Sequence, residues 1–356
     1  MRPWFRERFG NPSSGHLFGR EAQEQVEAAR TEVAVLIGAK ADEIVFTGSA
    51  TEANNLAVLG STRATGGEKR SLVTSAIEHP SVLQPFSRRK EEGWRLALLP
   101  VDSFGRVDLR EAESIIVKDT ALVSVMLANN ETGTIQPVRE ISGLAHSCGA
   151  LFHVDAAQAI GKIPVDVEAL GADLLTLAGH KFYAPKGIGA LYVRRGTPLV
   201  PLMFGAGHER GLRPGTENVP YIAALSTAAR LARKNLREEP ARIGRLLERL
   251  HGKLSAAIAG LRLNGPSDDR LPNTLNLSFP KVKGWDLLSA VPGIAASTGS
   301  ACHGGIHEAS PVLLAMHRDE NLAMGAVRLS LGRFTSEEEI DLASSLLISA
   351  WRGLTS

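Results

Sequence analysis

From about residue 20 to residue 200 the chain alternates short β-rich runs with amphipathic helical patterns, and no other feature constrains its fold as tightly. The helical pattern EAQEQVEAARTEVAVLIG leads into the strand EIVFT. A helix from Thr51 follows, and the strands SLVTSAI, ALVSVMLA, FHVD and LLTLA come later. Apolar strands separated by helices predict an α/β architecture, a mainly parallel sheet covered on both faces. Ligands of such sheets bind beyond the carboxyl ends of the strands. With 356 residues, 44% of them hydrophobic, the chain has material for one large domain or two. A helical stretch from about Tyr221 to Leu261, broken near Glu239 and Pro240, predicts a spacer between two bodies. The expected division is a large domain over 10–245 and a smaller α/β domain over 246–356. The smaller one holds the strands NTLNLSF and VRLSLG, a loop around Cys302, and a last helix from Ser336 whose acidic start, SEEE, suits a helix N-terminus.

Charge narrows the class further. The formal net charge of +2 comes from 40 basic and 38 acidic residues with no long run of either sign, whereas a dedicated nucleic-acid site needs a clustered basic patch. No apolar stretch approaches the ~20 residues a membrane helix needs, and the start MRPWFRERFG lacks a secretory apolar core, so a cytoplasmic protein is expected. The two cysteines, Cys148 and Cys302, are too far apart in sequence to suggest a disulfide framework. Cys148 ends a helical pattern in LAHSCGA and is expected to be a small buried hydrophobe.

Chemistry-bearing residues gather after the strands. LLTLA runs into GHKFYAPKGIGALYV, which puts Lys181 just past a buried strand; taken singly it is a solvated loop lysine. FHVDAAQ puts Asp155 at another strand end, either as the N-cap of AAQAIG or as the partner of a protonated pyridine nitrogen. In FTGSATEANN, Ser49 and Glu52 stand at capping-box spacing with Ala50 and Thr51 in the first turn, a helix end suited to phosphate. His79 follows SLVTSAI in EHPSV, where an imidazole is either structural or stacked on an aromatic ring. Asn129 and Asn130 close another strand in LANNETG with side chains able to bond a phenolic oxygen. Cys302 lies in STGSACHGGIHEASP, whose glycines and small residues predict a loop and an exposed thiol, reactive or incidental. Cys302, His303 and His307 lack a fourth ligand at convincing spacing, so no metal is expected.

Taken together, NPSSGH, SATEANN, EHPSV, LANNETG, HVDAAQ, GHKFYAPKGIGALY, HERGLRPGTENV, STGSACHGG and VRLSLGRFT resemble the cysteine desulfurases, which belong to the class V aminotransferase-like, fold-type I pyridoxal-phosphate enzymes. The resemblance covers nearly the whole chain. It implies conversion of L-cysteine to L-alanine on pyridoxal 5'-phosphate, with sulfur carried as a persulfide to an acceptor thiol or protein, as in iron–sulfur cluster assembly. It makes Lys181 the cofactor-bearing lysine, His79 the ring-stacking residue, Asp155 the pyridine-nitrogen partner, and Asn130 and Gln158 the contacts to the phenolic oxygen. Ala50, Thr51 and His180 hold the phosphate, and Thr216 reaches a phosphate in the neighbouring subunit, which implies a homodimer with shared active sites. Arg328 clamps the substrate carboxylate beside Asn130, and Cys302 receives the sulfur.

Two departures stand out. Family members usually begin with a strand and turn much like YLDNNATTP, and this chain starts after it, so that strand is expected to be absent. The family's SGHK is AGHK here, and Ala178 lacks the hydroxyl that bonds phosphate, which predicts weaker cofactor binding. The motifs ACH, SPVLL, GHKFY and RPGTEN resemble selenocysteine lyases as well. An inactive sulfur-protein scaffold and plain transamination complete the alternatives.

Overall fold

The strands SLVTS, TALVSVM and LLTLA are buried at every position, as a sheet covered on both faces requires. The computed structural model describes residues 1–66, 69–299, 302, 303 and 306–356, with backbone alone at 302, 303, 306 and 307. Its chain contacts divide into two compact units. The first comprises residues 1–99, 109–127 and 137–236, and the second 100–108, 128–136 and 237–356. Where the sequence suggests one boundary near 245, two short segments inside the first unit's span thus pack with the second.

The first unit carries a seven-stranded sheet. In chain order its strands are β1 (Ile44–Thr47), β2 (Ser71–Ser75), β3 (Arg95–Leu99), β4 (Thr120–Met126), β5 (Leu151–Asp155), β6 (Leu174–Ala178) and β7 (Gly189–Val193). The spatial order is β1-β7-β6-β5-β4-β2-β3, and β7 alone runs against its neighbours. The carboxyl ends of β1, β2, β4, β5 and β6 therefore share one edge. A polar line crosses the middle of this apolar sheet: His153 on β5 bonds Ser124 Oγ of β4 at 2.7 Å and Thr176 Oγ1 of β6 at 3.0 Å. With both ring nitrogens engaged and no exposure, burial pushes its pKa down to about 3 and the ring stays neutral. Glycine is required where β7 meets the first turn after β1, because a Cβ on Gly189 would approach Ser49 C to 2.8 Å and Ala50 N to 3.0 Å.

In the second unit, β8 (Arg262–Leu263), β9 (Thr274–Ser278) and β12 (Ala326–Ser330) form an antiparallel sheet in the order β12-β9-β8. Leu275, Leu277 and Leu329 pack in one apolar cluster with Leu246, Leu250 and Leu347 of the helices Glu239–Ala257 and Glu337–Thr355. The second of these helices opens on a full capping box, with Ser336 Oγ accepting from Glu339 N and the Glu339 carboxylate accepting from Ser336 N. The loop expected around Cys302 includes a short ladder, β10 (Cys302–His303) against β11 (Ile306–His307). Among the described residues no helix is long and apolar enough to cross a membrane.

Candidate active site

The sequence FTGSATEANN turns β1 into the helix Ala50–Asn55 at Ser49, whose hydroxyl accepts from Glu52 N at 3.1 Å. The expected reciprocal bond of a capping box is replaced: Glu52 Oε2 accepts from Gly48 N at 2.7 Å, and Oε1 accepts from Arg213 Nε at 2.8 Å. Ala53 N makes the first intrahelical bond, to Ser49 O, so the amides of Ala50 and Thr51 precede the ladder at the positive end of the helix dipole.

His79 is the N-cap of the helix Pro80–Glu91, and its Nδ1 accepts from Ser81 N at 3.1 Å. Nδ1 therefore carries no proton, and the neutral ring has its hydrogen on Nε2. Burial, then the charge of Lys181, lower its pKa, while Asp155 opposes them. Asp155, 5% exposed, ends β5. Of the two sequence readings of this residue, the cap is the one with a counterpart in its hydrogen bonds. Oδ1 accepts from Ala157 N at 2.9 Å and caps the following turns, which do not form the helix expected for AAQAIG, while Oδ2 accepts from Asn54 Nδ2 at 2.8 Å. Burial raises its pKa, and the two hydrogen bonds, His79 and Lys181 pull it back toward ionisation.

Lys181 sits on the 3-10 turn Gly179–Phe182 directly after β6. That turn is tight because Gly179 lies against Ile188, whose carbonyl oxygen would stand 2.7 Å from a Cβ. His180 beside it is exposed, and desolvation together with Lys181 and Lys186 lowers its pKa. Ala178 precedes the turn as an N-cap without a side-chain cap bond. Gln158 Oε1 accepts from Lys162 Nζ at 2.7 Å, which leaves Nε2 as its donor. Thr216 is exposed and lines an open cleft of about 840 Å³ with Asn11, Arg30 and His208, among whose lining residues Lys181, His79 and Asp155 do not figure.

In the second unit Arg328 lies on β12, and its Nη1 donates to Asn130 O at 3.0 Å. Asn129, put beside Asn130 by the sequence as a ligand contact, is instead a loop builder. Its Oδ1 accepts from Glu131 N at 2.8 Å and Thr132 N at 3.0 Å. The side chains of Cys302, His303 and His307 lie outside the described residues. Among the described residues no group of three or more metal-ligating side chains is present. Cys148 is only partly buried and weakly donates from Sγ to Ile116 O at 3.5 Å, a correction to the buried hydrophobe expected of it.

Asn54 and Ser81 stand within the motifs SATEANN and EHPSV, and the sequence assigns neither a role. Asn54 Nδ2 also donates to Ser81 Oγ at 2.8 Å, and that hydroxyl bonds His79 Nδ1 at 2.8 Å, so a hydrogen-bonded chain links Asp155 to His79. The only sequence signal was a fully polar residue on the buried side of a helix.

An amine after one strand, a buried carboxylate after the next, an imidazole after a third and helix amides after a fourth form a donor set that fits pyridoxal phosphate. These features define a fold-type I pyridoxal-phosphate enzyme. The family model for class-V aminotransferases matches residues 1–342, and the chain belongs to that family. It is 42% identical to cysteine desulfurase IscS of Dictyoglomus turgidum over 98% of this chain and 89% of that protein. It is 47% identical to IscS of Anaeromyxobacter dehalogenans over 97% of this chain and 86% of that protein. A solved NifS-like protein, 38% identical, superimposes with a TM-score of 0.91 over 99% of this chain and 94% of its own.

Proposed function

We infer that the protein is a pyridoxal-phosphate-dependent cysteine desulfurase, converting L-cysteine to L-alanine and passing the sulfur to an acceptor through a persulfide on Cys302. The observation that carries this reading is Lys181 just beyond β6, its charge acting on Asp155 and His79 at the same sheet edge, in a chain whose relatives named above are cysteine desulfurases. Lys181 would hold the cofactor, Asp155 its ring nitrogen, His79 its ring face, and Ala50, Thr51 and His180 its phosphate. Gln158 and Asn130 would meet the phenolic oxygen.

When bound, the cofactor supplies an electron sink for the substrate's Cα–H bond. Lys181 would take the α-proton as an amine base, and Asp155 would pair with a protonated ring nitrogen. Arg328 offers a bidentate fork to the substrate carboxylate. The Cys302 thiolate would attack the substrate sulfur; an S–S bond forms as the C–S bond breaks, the electron pair goes to the β-carbon, that carbon takes a proton, and Lys181 returns a proton to the α-carbon before alanine leaves. An acceptor thiol then removes the sulfur from Cys302. Exposed Thr216, lining its own cleft, supports a role toward a second copy of the chain, hence a homodimer.

The test is alanine and sulfide release from L-cysteine in the presence of a reducing thiol, with selenocysteine alongside. Release of both in equal amounts is expected, and Cys302→Ser should keep the visible cofactor band but lose sulfide release from cysteine. A large preference for selenocysteine would move the assignment to a lyase. Parent-rate desulfuration by Cys302→Ser would remove the persulfide.

A further inference from the structure

Glu131, in the LANNETG segment, is a buried acid for which neither the fold nor the reaction above supplies a use, and its surroundings are specific. The residue is 5% exposed. Its Oε2 accepts from Ser310 Oγ at 2.5 Å, and a Cβ on Gly299 would stand only 2.5 Å from the same oxygen. Gly299 has φ +77, so the backbone there is already in the region that glycine favours. Residues 299 and 310 stand on either side of Cys302 in the chain. Ser310 is itself 1% exposed and caps the helix Pro311–Ala315 by accepting from Leu313 N at 3.3 Å. On the near side, Ser297 and Arg328 exchange backbone hydrogen bonds, Arg328 N to Ser297 O at 2.6 Å and Ser297 N to Arg328 O at 3.3 Å. Glu131 is held in turn: Asn129 Oδ1 accepts from its N–H, and its carbonyl accepts from Asn276 Nδ2 at 3.3 Å.

We propose that Glu131 is a positioning residue for sulfur transfer, its carboxyl group tying together the two ends of the Cys302 segment beside the strand that bears Arg328. The proposal rests on the reading of Cys302 as the sulfur acceptor. A carboxyl at this place is costly to bury, and burial pushes its pKa up to about 7 against the bond from Ser310 and the charge of Arg328. A merely space-filling position would take an apolar side chain at lower cost. What the acid supplies is an acceptor of fixed position, reaching Ser310 on one end while packing on Gly299 at the other. Holding Gly299 and Ser310 against one carboxyl fixes two positions that flank Cys302, and positioning of a reacting group is a gain of the kind that dominates bimolecular steps held in place.

The experiment uses the holoenzyme and the variants Glu131→Ala, Glu131→Gln, Ser310→Ala and Cys302→Ser. Glu131→Ala should lower kcat on the order of 10–100-fold with KM and the cofactor band unchanged. The spectral change that cysteine causes in that band should keep its parent rate, while radioactive sulfur from cysteine arrives on Cys302 more slowly. Glu131→Gln keeps an acceptor for Ser310 and should recover most of the loss, and Ser310→Ala should copy Glu131→Ala in direction. A Glu131→Ala enzyme with parent kcat overturns the proposal, as does a kcat loss matched by loss of the cofactor band or by slowing of the early spectral change. If Glu131→Ala does not fold, Ser310→Ala and the Gln variant decide by the same measures. Cys302→Ser separates the two ideas: if it desulfurates at the parent rate the persulfide reading fails, and if it is inactive while Glu131→Ala is fully active, only the positioning role fails.

Discussion

Asn54 Nδ2 donates to Asp155 Oδ2 at 2.8 Å, and both residues are buried. The same nitrogen donates to Ser81 Oγ at 2.8 Å, while Asn54 Oδ1 has no hydrogen-bond partner among the described residues. One amide thus orients the two groups expected to meet the ring from its nitrogen and from its face. Replacing Asn54 by Leu keeps the volume and removes both bonds. A hydrogen bond to a charged group contributes about 1.5–3 kcal/mol, so cofactor affinity should fall roughly tenfold or more. Spectral titration of the cofactor-free variant with pyridoxal phosphate measures this. Ser81→Ala, which leaves the bond to Asp155 intact, should weaken binding less. Equal affinity in Asn54→Leu and the parent would show that Asp155 needs no such support.

Arg328 on β12 already spends one nitrogen on Asn130 O, and its planar fork has further donors for a carboxylate. Arg328→Lys keeps the charge but replaces the fork with a point donor. KM for cysteine should rise about tenfold, by the same 1.5–3 kcal/mol for a lost charged contact, with the visible band intact. Loss of the band with unchanged KM would assign Arg328 to the fold.

The sheet, the strand ends and the acids opening the last helix were legible because each rests on local pattern: apolar runs of strand length, and SEEE at a helix start. Lys181, Asp155 and His79 could be placed for the same reason, as residues that follow strands. What the sequence concealed depends on who meets whom across long separations. Asn54 and Asp155 are 101 residues apart, and Glu131 and Ser310 are 179 apart. No spacing rule links such pairs. Asn129 and Asn130 look alike in LANNETG, and only the turn geometry shows that Asn129 serves the loop's own amides. The assignment of 100–108 and 128–136 to the second unit was equally hidden, since it follows from packing rather than from order along the chain.

Glu78 gives a pH dependence with a definite sign. Its Oε1 accepts from Ser75 Oγ at 2.5 Å and Met126 N at 2.8 Å, Oε2 is buried without a hydrogen-bond partner among the described residues, and burial pushes its pKa up to about 8 from 4.5. The folded state therefore holds a proton that the unfolded chain has released, and stability from this group falls as pH rises from about 4.5 to about 8. Glu78→Gln keeps the acceptor and removes the titration. The variant's melting temperature minus the parent's should grow between pH 5 and pH 8 in holoenzyme scans. His153 slopes the other way below its ordinary 6.5, since burial lowers its pKa to about 3, but both proteins share it and the difference cancels it. A gap that is constant or shrinks with pH would mean that Glu78 stays ionised in the folded protein.

Lys162 sets the polarity of Gln158. An ammonium only donates, so the atom of the Gln158 amide that meets Lys162 Nζ at 2.7 Å is its oxygen, and the NH2 group is the end left to donate elsewhere. A phenolic oxygen carrying negative charge needs a donor of that kind, and an amide free to flip would offer its oxygen part of the time. Lys162→Met retains the length of the side chain and drops the charge that fixes the flip. The variant should bind cofactor, but the pH at which its visible band changes should move upward, because a poorly donated phenolic anion is less stabilised. Gln158→Leu should shift the band in the same direction and further, and adding Lys162→Met to it should shift the band little more. A band that titrates as in the parent when Lys162 is replaced, while Gln158→Leu shifts it, would leave Gln158 as a donor that orients itself without its neighbour.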